Sequence, residues 1–167
     1  KDTRALDFLA NLHGYDFHLL RAVIDVNARQ RLLPVRALRE RFGSLEGVRV
    51  AVLGLTFKPD TDDVREAPAT EIVALLAADG ARIAAFDPFA ATAPACAERA
   101  STLAEAVAGA DAAVVATEWD EIAGADWTAL VGSMRGRRVV YDGRNALDAG
   151  VVRAAGGDYI GVGRPAP

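Results

Sequence analysis

The sequence is poor in the residues that would tie it to a disulfide, a metal, a membrane or a nucleic acid. It holds one cysteine in 167 residues, Cys96, which excludes an internal disulfide and fits a reducing, cytoplasmic setting. In an alanine-rich segment with no histidine nearby, Cys96 reads as a small buried residue. The only histidines are His13 and His18. Neither has a second ligand at helical spacing, so no metal is expected and both read as packing or surface side chains. No apolar run approaches the roughly eighteen residues of a membrane span, and Lys1-Asp2-Thr3-Arg4 leads into no signal-type apolar core. A basic footprint is missing too. The formal net charge is −4, which argues against nucleic acid as the main partner.

What is present is a globular core. Apolar residues make up 51% of the chain, and its length suits one domain plus an appendage. Residues 1–14 carry Ala5, Leu6, Phe8, Leu9 and Leu12 at helical spacing, ended by Gly14. A longer helical pattern runs from Phe17 to Phe42, and Pro34 must kink or split it. We take residues 1–43 as a helical linker or dimerisation segment and 44–167 as a ligand-binding domain entered through Gly43-Ser44-Leu45-Glu46-Gly47.

From there buried strands alternate with helices. The strands are centred on Val50–Leu53, Ala81–Phe86, Ala112–Ala116, Val139–Tyr141 and Tyr159–Gly163. Between them come a helix over 69–78, an alanine-rich stretch at 90–110 that is helical in part, a short helix over 126–131, and a last helix opened by Asp142-Gly143-Arg144-Asn145. With no tight hairpin signal, the pattern predicts an α/β fold: a Rossmann-like parallel sheet flanked by helices and preceded by a helical segment.

Right-handed crossovers then bring the loops after the strands to one edge of the sheet, with Phe57, Lys58, Thr117 and Arg144 along it. The loop after the first strand is the most charged, and Phe57-Lys58 sets an aromatic plate beside a cation. A nucleotide needs both, apolar surface for base or ribose and an ammonium for phosphate. The plain alternative is a solvated loop without a partner. Asp87-Pro88 closes the second strand. The first loop is not Gly-x-Gly-x-x-Gly, so no direct NAD site is expected in this domain, and Asp87 reads as a strand terminator.

The run Gly54-Leu55-Thr56-Phe57-Lys58-Pro59-Asp60-Thr61-Asp62-Asp63-Val64-Arg65-Glu66-Ala67-Pro68 resembles the signature of the UDP-glucose/GDP-mannose dehydrogenase family, in its C-terminal nucleotide-sugar-binding domain. Its Thr-Asp-Asp-x-Arg-x-Ala-Pro wording is nearest to the bacterial UDP-glucose branch. Asn27-Ala28-Arg29-Gln30 is similar to the Asn-x-x-Gln of the family's long central helix, and Thr117-Glu118-Trp119 to its Thr-Glu-Trp. Lys1-Asp2 looks like the tail of the family's Cys-Phe-Pro-Lys-Asp run, whose nucleophilic Cys would lie three residues upstream of this chain.

The resemblance implies an NAD-dependent oxidation of a sugar C6 alcohol to a carboxylate, with NAD held mainly by an N-terminal domain. It implies a UDP-sugar substrate contacted by Phe57, Lys58 and Arg144, a catalytic Asp2, cofactor contacts from Lys1 and Arg65, and a homodimer formed through the long helix. It also implies a cytoplasmic enzyme, of which this chain is a fragment inactive by itself. GDP-mannose or a UDP-N-acetylhexosamine as substrate stays open, as does a non-catalytic nucleotide-binding or dimerisation module.

Overall fold

The computed structural model describes residues 2–164, and side chains from Thr3 onward. Lys1 and the side chain of Asp2 therefore lie outside the described residues. The chain begins with helices α1 (Asp2–Leu12), α2 (His18–Gln30) and α3 (Leu33–Phe42). Gly14 turns the chain after α1 at φ +69°, a region open to a residue without Cβ. Pro34 splits the second helical pattern as expected: α2 stops before it, and it sits in the first turn of α3, where its missing N–H leaves no bond unmade.

Six strands follow: β1 (Arg49–Leu53), β2 (Arg82–Phe86), β3 (Ala97–Arg99), β4 (Ala112–Val115), β5 (Val139–Asp142) and β6 (Asp158–Gly161). All neighbours are parallel, in the order β3-β2-β1-β4-β5-β6. This is the doubly wound, Rossmann-like arrangement, in which chain order reverses between the central strands β1 and β4. Helices α4 (Pro68–Ala78), α5 (Leu103–Val107), α6 (Asp120–Ala123), α7 (Trp127–Ser133) and α8 (Ala149–Ala154) make the connections.

The central strands are apolar throughout because both faces are covered, and alternate residues serve alternate cores. Ala51, Leu53, Ala113, Val115 and Val140 face a core closed by Leu103 and Val107 of α5, Leu130 and Val131 of α7 and Val152 of α8. Val50, Val52, Val114, Val139 and Tyr141 face the other, closed by Ile72, Val73 and Leu76 of α4 and by Val35 and Leu38 of α3. Helix α3 is further pinned by Arg39 on Asp79 and by Arg41 on Asp158 at 2.6 Å. Helices α1 and α2 share little of this burial. Leu20 is their one buried side chain among the described residues, whereas Leu6, Phe8, Leu9, Leu12, Leu19, Val23 and Val26 stay exposed.

The structure corrects the sequence reading in three places. The alanine-rich stretch at 90–110 contains edge strand β3, whose Ala97-Glu98-Arg99 has no apolar run: Ala97 alone packs on the core, and backbone pairing with β2 supplies the rest of the ladder. The last helix opens at Ala149, not after Asn145. Asp148 is its N-cap, accepting from the Gly150 and Val151 amides, while Asp142 folds 144–147 into a turn by accepting the Arg144, Ala146 and Leu147 amides. Cys96 is exposed, since the segment leading into an edge strand has no second layer over it. Among the described residues no helix is long and apolar enough to cross a membrane, and no cluster of His, Cys, Asp and Glu could hold a metal ion.

Because Leu38 is fully buried between α3 and the sheet, Leu38→Ala should lower the unfolding free energy by about 2–5 kcal/mol. Urea titration followed by circular dichroism measures this. A loss below about 0.5 kcal/mol, the range of surface changes, would mean that α3 is not part of the core.

Candidate functional site

The loops after β1, β4 and β5 meet where chain order reverses, and a cleft of about 560 Å³ opens there. Phe57 and Lys58 come from the first loop, Ala116 and Glu118 from the second, and Gly143 and Arg144 from the third. The opposite wall comes from the helical segment: Asn27 and Gln30 of α2, Arg31 at its C-terminal cap, and Pro34 of α3. A smaller cavity of about 280 Å³ adjoins it, lined by Thr3 and Arg4 of α1, by Glu66, and by Asn27, Arg31 and Phe57, which border both. Phe57, 53% exposed, is thus a partition between the two.

Backbone crowding sets the loop after β1. Gly54 lies at φ +87°, and a Cβ there would stand 2.5 Å from the Thr117 Cβ and 2.7 Å from its nitrogen, so only glycine lets the ends of β1 and β4 come this close. Two further loop residues, Asp60 and Glu66, take positive φ with a side chain present, a conformation that local structure must enforce. The Phe57 amide closes the loop on the Asp63 carbonyl at 2.9 Å.

The carboxylate of Asp87, at the end of β2, is buried beneath this loop and accepts six hydrogen bonds. Oδ2 takes the Leu55 amide (2.6 Å), the Thr56 amide (3.0 Å), the Thr56 hydroxyl (3.2 Å) and the Trp119 indole N–H (3.1 Å). Oδ1 takes the Phe89 and Ala90 amides at 2.9 and 2.8 Å. Burial pushes this carboxyl up. The donated amides of Ala90, Leu55, Phe89 and Thr56 outweigh it and hold the group below its ordinary value. The Thr56 carbonyl accepts from the Thr117 hydroxyl at 2.7 Å, and Phe89 stacks on Trp119 with ring centroids 4.8 Å apart.

A second buried carboxylate, Asp142, organises the end of β5 and accepts the Tyr159 hydroxyl at 2.9 Å. Burial first, then that bond, pushes the Tyr159 hydroxyl up to about 12, so it stays a neutral donor. Arg144 beside it lies at the surface, with 31% of its side chain accessible. Its Nε donates to the Ala116 carbonyl at 2.8 Å and lies 2.9 Å from a Glu118 carboxylate oxygen. Arg31 likewise pairs with Glu71 of α4. Lys58 has no such counter-ion among the described residues, so its ammonium is the cation of the cleft without a protein partner.

The structure therefore brings together Phe57, Lys58 and Arg144. Thr117 is not at the surface of this group: it is fully buried and spent on the Thr56 carbonyl. Arg65 stands apart, 77% exposed and paired bidentately with Asp63 at 2.8 Å. The anchoring role of Asp87, and Gln30 and Arg31 as cleft wall, were not anticipated. The only sequence signal for the wall was the Asn27-x-x-Gln30 spacing, which sets both on one helix face.

The sequence model described as "UDP-glucose/GDP-mannose dehydrogenase family, UDP binding domain" matches residues 51–149, which include every strand-end loop just described. The chain belongs to this family. UDP-glucose 6-dehydrogenase YwqF of Bacillus subtilis is 41% identical over 171 residues, covering 99% of this chain and 39% of its own length. The UDP-glucose dehydrogenase of Pyrobaculum islandicum superposes with a TM-score of 0.81 at 32% identity, over 98% of this chain and 36% of that one. The NDP-N-acetyl-D-galactosaminuronic acid dehydrogenase of Methanosarcina mazei Go1 does so with a TM-score of 0.81 at 28% identity, over 99% of this chain and 37% of its own. The chain thus spans a little under two fifths of the length of the curated relative.

The acid that a dinucleotide fold turns towards a ribose is here Asp87, which is buried with both oxygens taken.

Since the Asp87 carboxyl is held low, its stabilisation is fully present above about pH 4, the ordinary value, and is lost as pH falls through the lowered folded value. Asp87→Asn should flatten the acid limb of the stability profile between about pH 5 and pH 2 relative to the wild type. Urea midpoints across that range test it. Parallel profiles would show that the carboxylate is not anchoring the loop by charge.

Proposed function

We propose that this chain is the nucleotide-sugar-binding C-terminal part of a UDP-glucose 6-dehydrogenase. The full-length enzyme oxidises the sugar C6 alcohol to a carboxylate at the expense of NAD, giving UDP-glucuronate, a cytoplasmic precursor for polysaccharide synthesis. The observation that carries this reading is Lys58: an ammonium with no counter-ion among the described residues, beside an exposed phenyl ring in a cleft at the chain reversal. Lys58 meets the diphosphate, Phe57 packs on the sugar or ribose, and Arg144, fixed through its Nε, offers its remaining donors to the ligand.

The smaller cavity beside Thr3 and Arg4 receives the sugar end, next to the position where the resemblance puts the catalytic Asp2. Arg65, exposed at the loop, and Lys1 are the residues to which the resemblance assigns contacts with NAD held by the rest of the enzyme. Residues 1–43 form the linking and dimerising segment and 44–167 the binding domain, with α3 docked on the latter. The cleft-side charge pattern alone does not name the sugar. The likeness to the Methanosarcina mazei enzyme, equal in TM-score to the UDP-glucose one, supports a UDP-N-acetylhexosamine as the second reading.

Calorimetric titration with UDP, with GDP in parallel, tests the site. UDP should bind, GDP should not, and Lys58→Ala should weaken UDP about tenfold to a hundredfold, as loss of one charge-assisted hydrogen bond does. Binding of GDP alone moves the enzyme to the mannose branch. An unchanged affinity in Lys58→Ala removes Lys58 from the site.

The exposed stripe of Leu6, Leu9 and Leu12 on α1, with Leu19, Val23 and Val26 on α2, supports a homodimer through these helices, since an uncovered apolar face of this extent is unusual on a monomer. Sedimentation velocity should find a dimer that Leu9→Glu with Leu19→Glu converts to a folded monomer. A wild-type chain that stays monomeric at about 100 μM, far above the Kd of a stable dimer, would overturn this assignment.

A further inference from the structure

The residue immediately before Phe57 and Lys58 has no polar atom left over. The Thr56 amide and hydroxyl donate to Asp87, the hydroxyl also accepts the Trp119 indole N–H at 3.1 Å, and the carbonyl accepts from Thr117 at 2.7 Å. These partners come from the ends of β2 and β4, so three strands converge on one peptide unit. One residue further on, the chain is in solvent: Phe57 and Lys58 are both exposed. The loop is therefore rigid up to its last buried residue and free at the side chains that face the cleft.

We propose that Thr56 and Asp87 are positioning residues for Lys58, holding its backbone so that the ammonium meets a phosphate without first ordering the loop. The inference rests on the reading of Lys58 as the phosphate contact. Its physical ground is that a lysine is a point charge on a flexible stem. If its Cα also wandered, a ligand would have to fix both stem and loop, and displacement by about 1 Å is enough to cost a large factor in a positioned interaction. Gly54 supports the same end, because the approach of β4 leaves the loop no room to slide.

Thr56→Val removes the hydroxyl with little change of volume, and Thr56→Ser restores it. In calorimetric titrations with UDP, Thr56→Val should raise Kd about fivefold to tenfold when Lys58 is present, and less than about twofold in a Lys58→Ala background, because residues acting through one contact are not additive. Thr56→Ser should return the wild-type Kd. Equal losses in both backgrounds would mark a merely structural effect and overturn the proposal, as would no loss in either. Lys58→Ala without effect on its own, or no binding of UDP at all, would instead sink the reading of Lys58. Amide exchange in the ligand-free chain tests the anchoring separately. Asp87→Asn should speed exchange at the Leu55, Thr56, Phe89 and Ala90 amides, all of which donate to that carboxylate, by at least about tenfold relative to a distant strand amide. Unchanged exchange at Leu55 and Thr56 would overturn the proposal whatever the ligand does.

Discussion

A buried carboxylate among N–H donors is the constraint around which this molecule's working edge is arranged. Asp87 is out of water, which disfavours its charge, yet it is surrounded by four backbone amides whose hydrogen bonds it accepts. Each side of that contact needs the other: without the carboxylate, the amides of two loops would be buried and unpaired, and without the amides the charge could not be kept. The same device recurs at Asp142, where three loop amides and a tyrosine hydroxyl converge. Both carboxylates stand at carboxyl ends of parallel strands, and each sets a loop that delivers a cation to the cleft.

The cations themselves are held differently, and the difference sorts their roles. Arg31 and Arg144 arrive with their own carboxylates, Glu71 and Glu118, so a ligand gains from them only what those partners leave unused. Lys58 is bound to nothing among the described residues. A dianionic ligand therefore finds one uncommitted charge and two that are already shaped by the protein. Exposed pairs of this kind contribute little to stability, so their value lies in orientation.

The residues that line the cleft were more legible in the sequence than those that support it. Phe57, Lys58 and Arg144 were legible because each follows an uninterrupted apolar strand, and parallel topology sends all such positions to one edge. The break at Pro34 and the turn at Gly14 were legible for equally local reasons. Strand β3 was not, since a three-residue edge strand with one core-facing alanine needs no apolar pattern. Asp87 was legible as a residue but not in its role: Asp-Pro after a strand reads as a stop, and only the fold shows which amides lie within reach. The burial of α3 was hidden for a related reason, because a helix docked on a sheet and a helix projecting from it share the same amphipathic spacing.

Helix α2 faces two ways. Asn27 and Gln30, with Arg31 at the helix cap, form a wall of the cleft, while Leu19, Val23 and Val26 on a neighbouring flank lie bare. Anything that covers the bare flank will change how freely the wall can move, and a ligand that orders the wall will change how well the flank can be covered. Such linkage is reciprocal by necessity. If a second copy of the chain is what covers the flank, as proposed above, the apparent affinity of the cleft becomes a function of protein concentration as well as of the ligand, and dilute and concentrated solutions will return different dissociation constants.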